Sequence, residues 1–193
     1  ANYFLEDAKD LCEIQGWYYQ CKGINSVSLK LLLALNNWEH WRKGDLLNHL
    51  EIKNIYEYLG SSVLPGFQKG KTLHSDAKYT LKECQEQHGL VASDVWYNSF
   101  EGLDPMTETY IRNMRANGET LNKNPRIKMS TIHAAKGGEA DNVLLMQDLT
   151  GAAIETFSHD PDELHRLFYT GATRAKRELH VLDPKNFDRA YII

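Results

Sequence analysis

Two stretches of this sequence gather side chains suited to holding phosphate. The first, Ser130-Thr131-Ile132-His133-Ala134-Ala135-Lys136-Gly137-Gly138-Glu139-Ala140-Asp141, lies between two strand candidates. It offers hydroxyl, imidazole and ammonium donors, and its paired glycines admit close backbone approach, which is what phosphate binding requires. An ordinary strand-to-helix loop uses the same residue types, so this stretch alone leaves both readings standing. The second, Leu167 to Arg177, sets Thr173-Arg174 in a basic turn just before a strand candidate. An arginine there can donate two hydrogen bonds to one phosphate in a fork that lysine does not reproduce. A lone basic cluster near a helix C-terminus is more often a solvated face, where positive charge is mildly favourable.

These stretches need elements to carry them, and the hydrophobic rhythm supplies candidates. Residues Tyr3 to Gln15 space their apolar positions as a helix, with Gly16 as its stop. A strand is expected over Trp17 to Cys21, then a turn at Gly23-Ile24-Asn25-Ser26, with Ser26 as candidate cap. The helix that follows carries Leu29, Leu32, Leu33, Leu35 and Trp38 and should be buried on much of its circumference. From Lys43 to Arg126 the rhythm is polar and helical, broken at Gly60, Pro65-Gly66, Gly89, Asp104-Pro105 and Gly118, with no convincing series of strands. Strand character returns at Ile127 to His133, at Val143 to Met146 as a run fit for a strand covered on both faces, and at Glu178 to Leu182. Asp160-Pro161-Asp162-Glu163 reads as a helix start that directs Leu164, Leu167, Phe168 and Ala172 to the core. Strand, turn, strand, helix, strand is the grammar of a mostly parallel sheet with helices on its faces.

Composition bounds the partners. The 193 residues are 42% hydrophobic, enough for one substantial α/β domain with an insertion. Lys and Arg total 22 against 26 acidic residues, a net charge of -4, so any nucleic-acid contact must be local. Cys12, Cys21 and Cys84 are odd in number and widely spaced, which points to reduced thiols in a cytoplasmic compartment. No apolar run is long enough to span a bilayer and no basic signal region opens the chain, so no membrane association is expected. His159 and His165 are the nearest approach to a ligand pair, and no structural metal is expected.

In wording and order the two stretches resemble helicase motifs V and VI of the UvrD/Rep family of superfamily 1. That family writes them T-[LI]-H-x-[AS]-K-G-L-E-[FW] and Y-V-x-x-T-R-A; here they stand as TIHAAKGGEAD and FYTGATRAKREL. The block Gly16 to Trp41 is similar to the segment following motif IV. The resemblance implies the C-terminal, second RecA-like motor domain of a DNA helicase, with a P-loop-NTPase-type α/β fold, a mostly parallel sheet and flanking helices. Residues 1–42 and 127–193 would form this domain, and 43–126 would be a reduced, helical, 2B-like insertion. Arg174 takes the place of the arginine that reaches the γ-phosphate, and Glu139 that of the glutamate binding the nucleotide sugar. Thr131 and His133 match positions near the track of single-stranded DNA, while Lys136 and Gly137 lie between the two sites. ATP and Mg²⁺ would be shared with an N-terminal RecA-like domain of the same protein, and single-stranded DNA and junctions with duplex would be the partners. Gly138 and Ala140 replace the family's large apolar residues, which removes volume from around Glu139.

No Walker A loop, DE-box strand or N-Y-R-S motif has a counterpart here, so the chain alone is not expected to hydrolyse ATP. Gly66 to Thr72, GFQKGKT, is out of register for a P-loop and reads as a basic loop. Val143 to Asp148 mimics a Walker B strand but reads as a buried central one. Trp38, Trp41, Trp96 and Tyr97 could stack on bases, although aromatics at helical spacing usually form core. The rival to a motor is a non-catalytic module that keeps the fold and binds nucleic acid or protein through Arg174 to Arg177. A nuclease-fused repair subunit of the RecB type would need a further domain.

Overall fold

The computed structural model describes residues 3–60, 73–119 and 124–193. It is a mixed α/β chain that divides into two units. One comprises residues 1–12, 19–24 and 127–193; the other comprises 13–18 and 25–126. The GFQKGKT loop lies outside the described residues.

Helix α1 (Tyr3–Gln15) ends at Gly16, whose φ of +66° is a left-handed stop. Strands β1 (Tyr19–Cys21) and β2 (Ile24–Asn25) follow, turning through Lys22 and Gly23, both at positive φ. Helix α2 (Leu29–Arg42) is capped by Ser28, whose hydroxyl accepts from Leu31 N at 3.2 Å. Ser26 is not the cap: its hydroxyl is within 2.7 Å of Tyr110 Oη. Leu31, Leu32, Ala34, Leu35, Trp38 and Trp41 are buried, yet Leu29 and Leu33 are 61% and 48% exposed, so α2 keeps one open side.

The second unit is mostly helical. After β3 (Leu47–Asn48) come α3 (His49–Tyr56), β4 (Lys78–Tyr79), α4 (Leu81–Gln87), α5 (Trp96–Ser99) and α6 (Pro105–Ala116), and β3 pairs antiparallel with β4 over two residues. Capping boxes open two of the helices, Asn48 with Glu51 and Thr80 with Glu83. Trp38, Trp41, Ile52, Ile55, Tyr56, Ile111 and Met114 form the core. The indole N–H groups of Trp38 and Trp41 donate to Asp94 O at 3.0 Å and Tyr79 O at 2.9 Å, which makes burial of both rings affordable. Gly16 meets α6 so closely that a Cβ would lie 2.3 Å from the Asn113 carbonyl carbon.

The first unit holds both motif-like stretches. Strand β5 (Ile127–Met129) pairs parallel with β1, Tyr19 opposite Ile127. Strand β6 (Ala140–Met146) pairs parallel with β7 (Ala175–Leu182), from Ala140 opposite Ala175 to Met146 opposite Leu182. Between them lie α7 (Gly151–His159), a helix beyond those the hydrophobic rhythm predicts, and α8 (Pro161–Ala172). The Thr150 hydroxyl accepts from Ala153 N at 3.2 Å and Asp160 Oδ1 from Glu163 N at 3.2 Å, so each helix has its cap. The parallel grammar is present in these two pairings. They stand as separate small sheets of order β2-β1-β5 and β6-β7, not as one continuous sheet.

Leu145, Leu149, Leu164 and Phe168 form this unit's core. Leu144, pointing to the other face of β6, is 65% exposed, so the run Val143 to Met146 is covered on one side rather than two. Residues 184–191 fold back on the carboxyl end of β6. Leu149 N donates to Arg189 O at 2.8 Å, Tyr191 N to Gln147 O at 2.9 Å, and the Tyr191 ring stacks on Phe168 at 4.2 Å. Asp148, the last residue of the Walker B lookalike, accepts Lys185 N at 2.9 Å. No helix among the described residues is long and apolar enough to cross a membrane.

Asp104 caps α6, its Oδ1 accepting Thr107 N at 2.9 Å, and hydrogen bonds from the Thr107 side chain and backbone hold its pKa below the ordinary 3.8. A depressed carboxylate contributes stability above its unfolded pKa and loses it as pH falls through the lower folded value. We predict that Asp104→Ala lowers the melting temperature by a few degrees at neutral pH and that the gap to wild type closes on acidification from about pH 4 to about pH 2. Thermal denaturation across that range checks this, and a gap independent of pH would refute the cap's ionised role.

Candidate functional site

The site grows from the parallel start of β6 and β7. Ala140 N donates to Arg174 O at 3.0 Å, which sets the residues preceding β6 beside those preceding β7. The two motif-like stretches, 36 residues apart at Gly138 and Arg174, meet through a side chain as well: Arg174 Nη1 donates to Gly138 O at 3.2 Å. Its Nε donates to Thr170 O at 3.0 Å and its Nη2 to Thr173 Oγ1 at 3.1 Å. Arg174 is half-buried; its bond to Thr170 O is partly shielded from water, while those to Gly138 O and Thr173 Oγ1 are exposed. Glu139 stands on the same edge and pairs with Lys176 at 3.2 Å, each side chain being about half exposed. An ion pair so exposed contributes little stability, and its effect is to orient the carboxylate.

Strand character in the sequence runs to His133, but β5 stops at Met129. Thr131 Oγ1 accepts from Ala134 N at 3.2 Å, and the Thr131 and Ile132 carbonyls both accept from Ala135 N at 3.1 Å, so the chain turns at once. This local capture of backbone N–H groups by a hydroxyl and two carbonyls outcompetes the ladder. The turn runs from Ile132 to Gly137 and leads straight into β6, not into a helix. Gly137 closes it at φ +84°, which an L side chain adopts only at a cost. His133 and Lys136 are exposed on the turn and Thr131 is half-buried. Among the described residues no hydrogen bond or ion pair joins Thr131, His133 or Lys136 to Arg174 or Glu139. The structure thus brings Arg174 and Glu139 to one edge and leaves the other three on the adjoining turn.

Ile132 anchors that turn to the first unit's core, packing on the cluster of Leu145, Leu164 and Phe168. Gly171, in the last turn of α8, lets it come close: a Cβ there would lie 3.1 Å from Leu145 Cδ1 and 3.3 Å from Ile132 Cγ2. Thr170, Thr173 and Lys176 also touch the site. Thr173 and Lys176 flank Arg174, so their proximity was readable; their hydrogen-bond roles follow only from the end of α8.

Of the stacking candidates, Trp38, Trp41 and Trp96 are buried and belong to the core of the second unit. Tyr97 is 39% exposed, with the Arg112 guanidinium 4.0 Å above its ring.

Residues 99–184 match the family model of the UvrD-like helicase C-terminal domain. That span contains both motif-like stretches and every candidate site residue. No curated protein and no solved structure matches the chain.

Gly171→Val should force β6 and α8 apart and lower stability by roughly 1–3 kcal/mol. Gly138→Ala, where a Cβ would make only an ordinary 3.4 Å contact with Ala135 O, should be close to neutral. Denaturant unfolding of both variants measures the contrast. Equal stability for the two would mean that α8 is not held at the distance described.

Proposed function

We propose, from the premise that residues 99–184 form a UvrD-like helicase C-terminal domain, that this chain serves as the second, RecA-like motor domain of an ATP-dependent DNA helicase. ATP sits between it and a Walker A domain of the same protein, and hydrolysis drives translocation on single-stranded DNA and unwinding at duplex junctions. The observation that carries this reading is Arg174, a half-buried arginine held at the edge where the two motif-like stretches meet, with Glu139 beside it.

The chemistry follows from what these side chains do. Phosphoryl transfer spreads negative charge over the transferred group, and catalysis is mostly positioning and electrostatic stabilisation. Arg174 donates N–H groups to the γ-phosphate across the cleft, and its bonds to Thr170, Thr173 and Gly138 reduce the reorganisation needed as charge develops. Glu139 accepts from the nucleotide ribose. Thr131 and His133 contact the DNA backbone, a contact that carries no sequence information and suits a translocating motor. Lys136 and Gly137, between the two groups, couple nucleotide state to DNA contact. In this reading Mg²⁺ is held mainly by the Walker A domain, and no step assigned to this chain's own residues runs through it.

Arg174→Ala, made in the protein that includes its Walker A domain, should lower DNA-stimulated ATP turnover by roughly 10³-fold or more, and leave the Kd for single-stranded DNA within about threefold. Steady-state ATPase assays and fluorescence anisotropy provide the two numbers. Equal losses in both would overturn the assignment of Arg174. No turnover by a well-folded wild type would favour a non-catalytic nucleic-acid or protein-binding module.

A further inference from the structure

We infer that Thr173 is a positioning residue for Arg174, orienting the guanidinium so that its remaining N–H donors form a pair fit for a phosphate; this rests on the reading of Arg174 given above. A guanidinium carries five N–H donors, one on Nε and two on each terminal nitrogen. Three are used within the chain, by Thr170 O, Gly138 O and Thr173 Oγ1. Among the described residues one N–H on Nη1 and one on Nη2 have no partner. A free donor on each terminal nitrogen is what an end-on bidentate contact with a phosphate draws on.

The Thr173 hydroxyl is itself oriented. It donates to Thr170 O at 3.0 Å, so its hydrogen is committed to that carbonyl and a lone pair is left for Arg174 Nη2. The same carbonyl accepts Arg174 Nε, closing a ring of three hydrogen bonds among Thr170, Thr173 and Arg174. The Thr173 backbone is fixed independently, its N–H donating to Tyr169 O at 3.0 Å as α8 ends. Thr170 is tied to the helix in turn by its own hydroxyl, which donates to Arg166 O at 2.8 Å. Gly138 O and Thr170 O hold Nη1 and Nε; among the described residues Thr173 is the one side chain that holds the third nitrogen. Without its hydroxyl the guanidinium keeps its charge and loses one of the three bonds that fix its plane.

The test compares Thr173→Val, which keeps the shape and removes the hydroxyl, with Thr173→Ser, which keeps the hydroxyl. In this chain labelled with ¹⁵N-arginine, the Arg174 Nε–H resonance, assigned by its loss in Arg174→Lys, should exchange with water about tenfold faster in Thr173→Val and at the wild-type rate in Thr173→Ser. In the protein that includes the Walker A domain, Thr173→Val should lower kcat about tenfold with KM for ATP within about twofold, and Thr173→Ser should restore it. Thr173→Val combined with Arg174→Ala should be no slower than Arg174→Ala alone, because the threonine acts only through the arginine. Unchanged exchange and unchanged kcat in Thr173→Val, alongside a turnover-deficient Arg174→Ala, would overturn the role of Thr173 and leave that of Arg174 standing. Faster exchange in Thr173→Val with full turnover in Arg174→Ala would support the contact and overturn its place in phosphate binding.

Discussion

Ala140 gives its backbone N–H to the carbonyl of Arg174, and from that bond β6 and β7 run parallel to Met146 and Leu182. A parallel pair needs a long crossover, and α7 and α8 supply it, covering one face of β6 as they pass. The register decides which residues share the edge. A shift of β7 by one residue would reverse the faces of Leu179 and Val181 and carry Lys176 away from Glu139. The hydrogen bond between Arg174 and Gly138 depends on the same register. The site is therefore a property of strand pairing first and of side-chain chemistry second.

The helix starts were legible because caps are local. Asp160 and Pro161 announce α8, and Asp104 and Pro105 mark the breaker at which α6 begins. Gly16 as a stop follows from the left-handed turn that ends α1. Where several hydroxyls compete, locality misleads: Ser26 and Ser28 are both plausible caps, and the choice falls to Ser28 because Ser26 is drawn to Tyr110, 84 residues on. Strand ends were less readable. Ile127 to His133 is apolar enough for a longer strand, but Thr131 captures the next turn's backbone and ends β5 early.

The candidate site was legible as two short wordings, and their order gave Arg174 and Glu139. Their meeting was not, since Gly138 and Arg174 are brought together by a pairing that periodicity does not encode. The partners Thr170 and Lys176 likewise emerge only once α8 has ended and β7 has begun. Aromatic residues told the opposite story. Trp38, Trp41 and Trp96 invite a base-stacking role in the sequence, and the second unit consumes all three as core, because each indole is worth more buried with its N–H satisfied or packed than exposed.

The fold-back of residues 184–191 bears on how the site is made during synthesis. Tyr191 stacks on Phe168, and Phe168 belongs to the cluster that seats α8, the helix ending in the turn before Arg174. The first unit's site and core from Thr131 to Tyr191 are continuous in the chain, although the parallel pair within them closes over a long crossover, with Gly138 and Arg174 36 residues apart. The last contact in that core waits for Tyr191 itself to leave the ribosome. Until then the core beneath Arg174 and Glu139 keeps one side open, and a tyrosine well outside the site is what closes it.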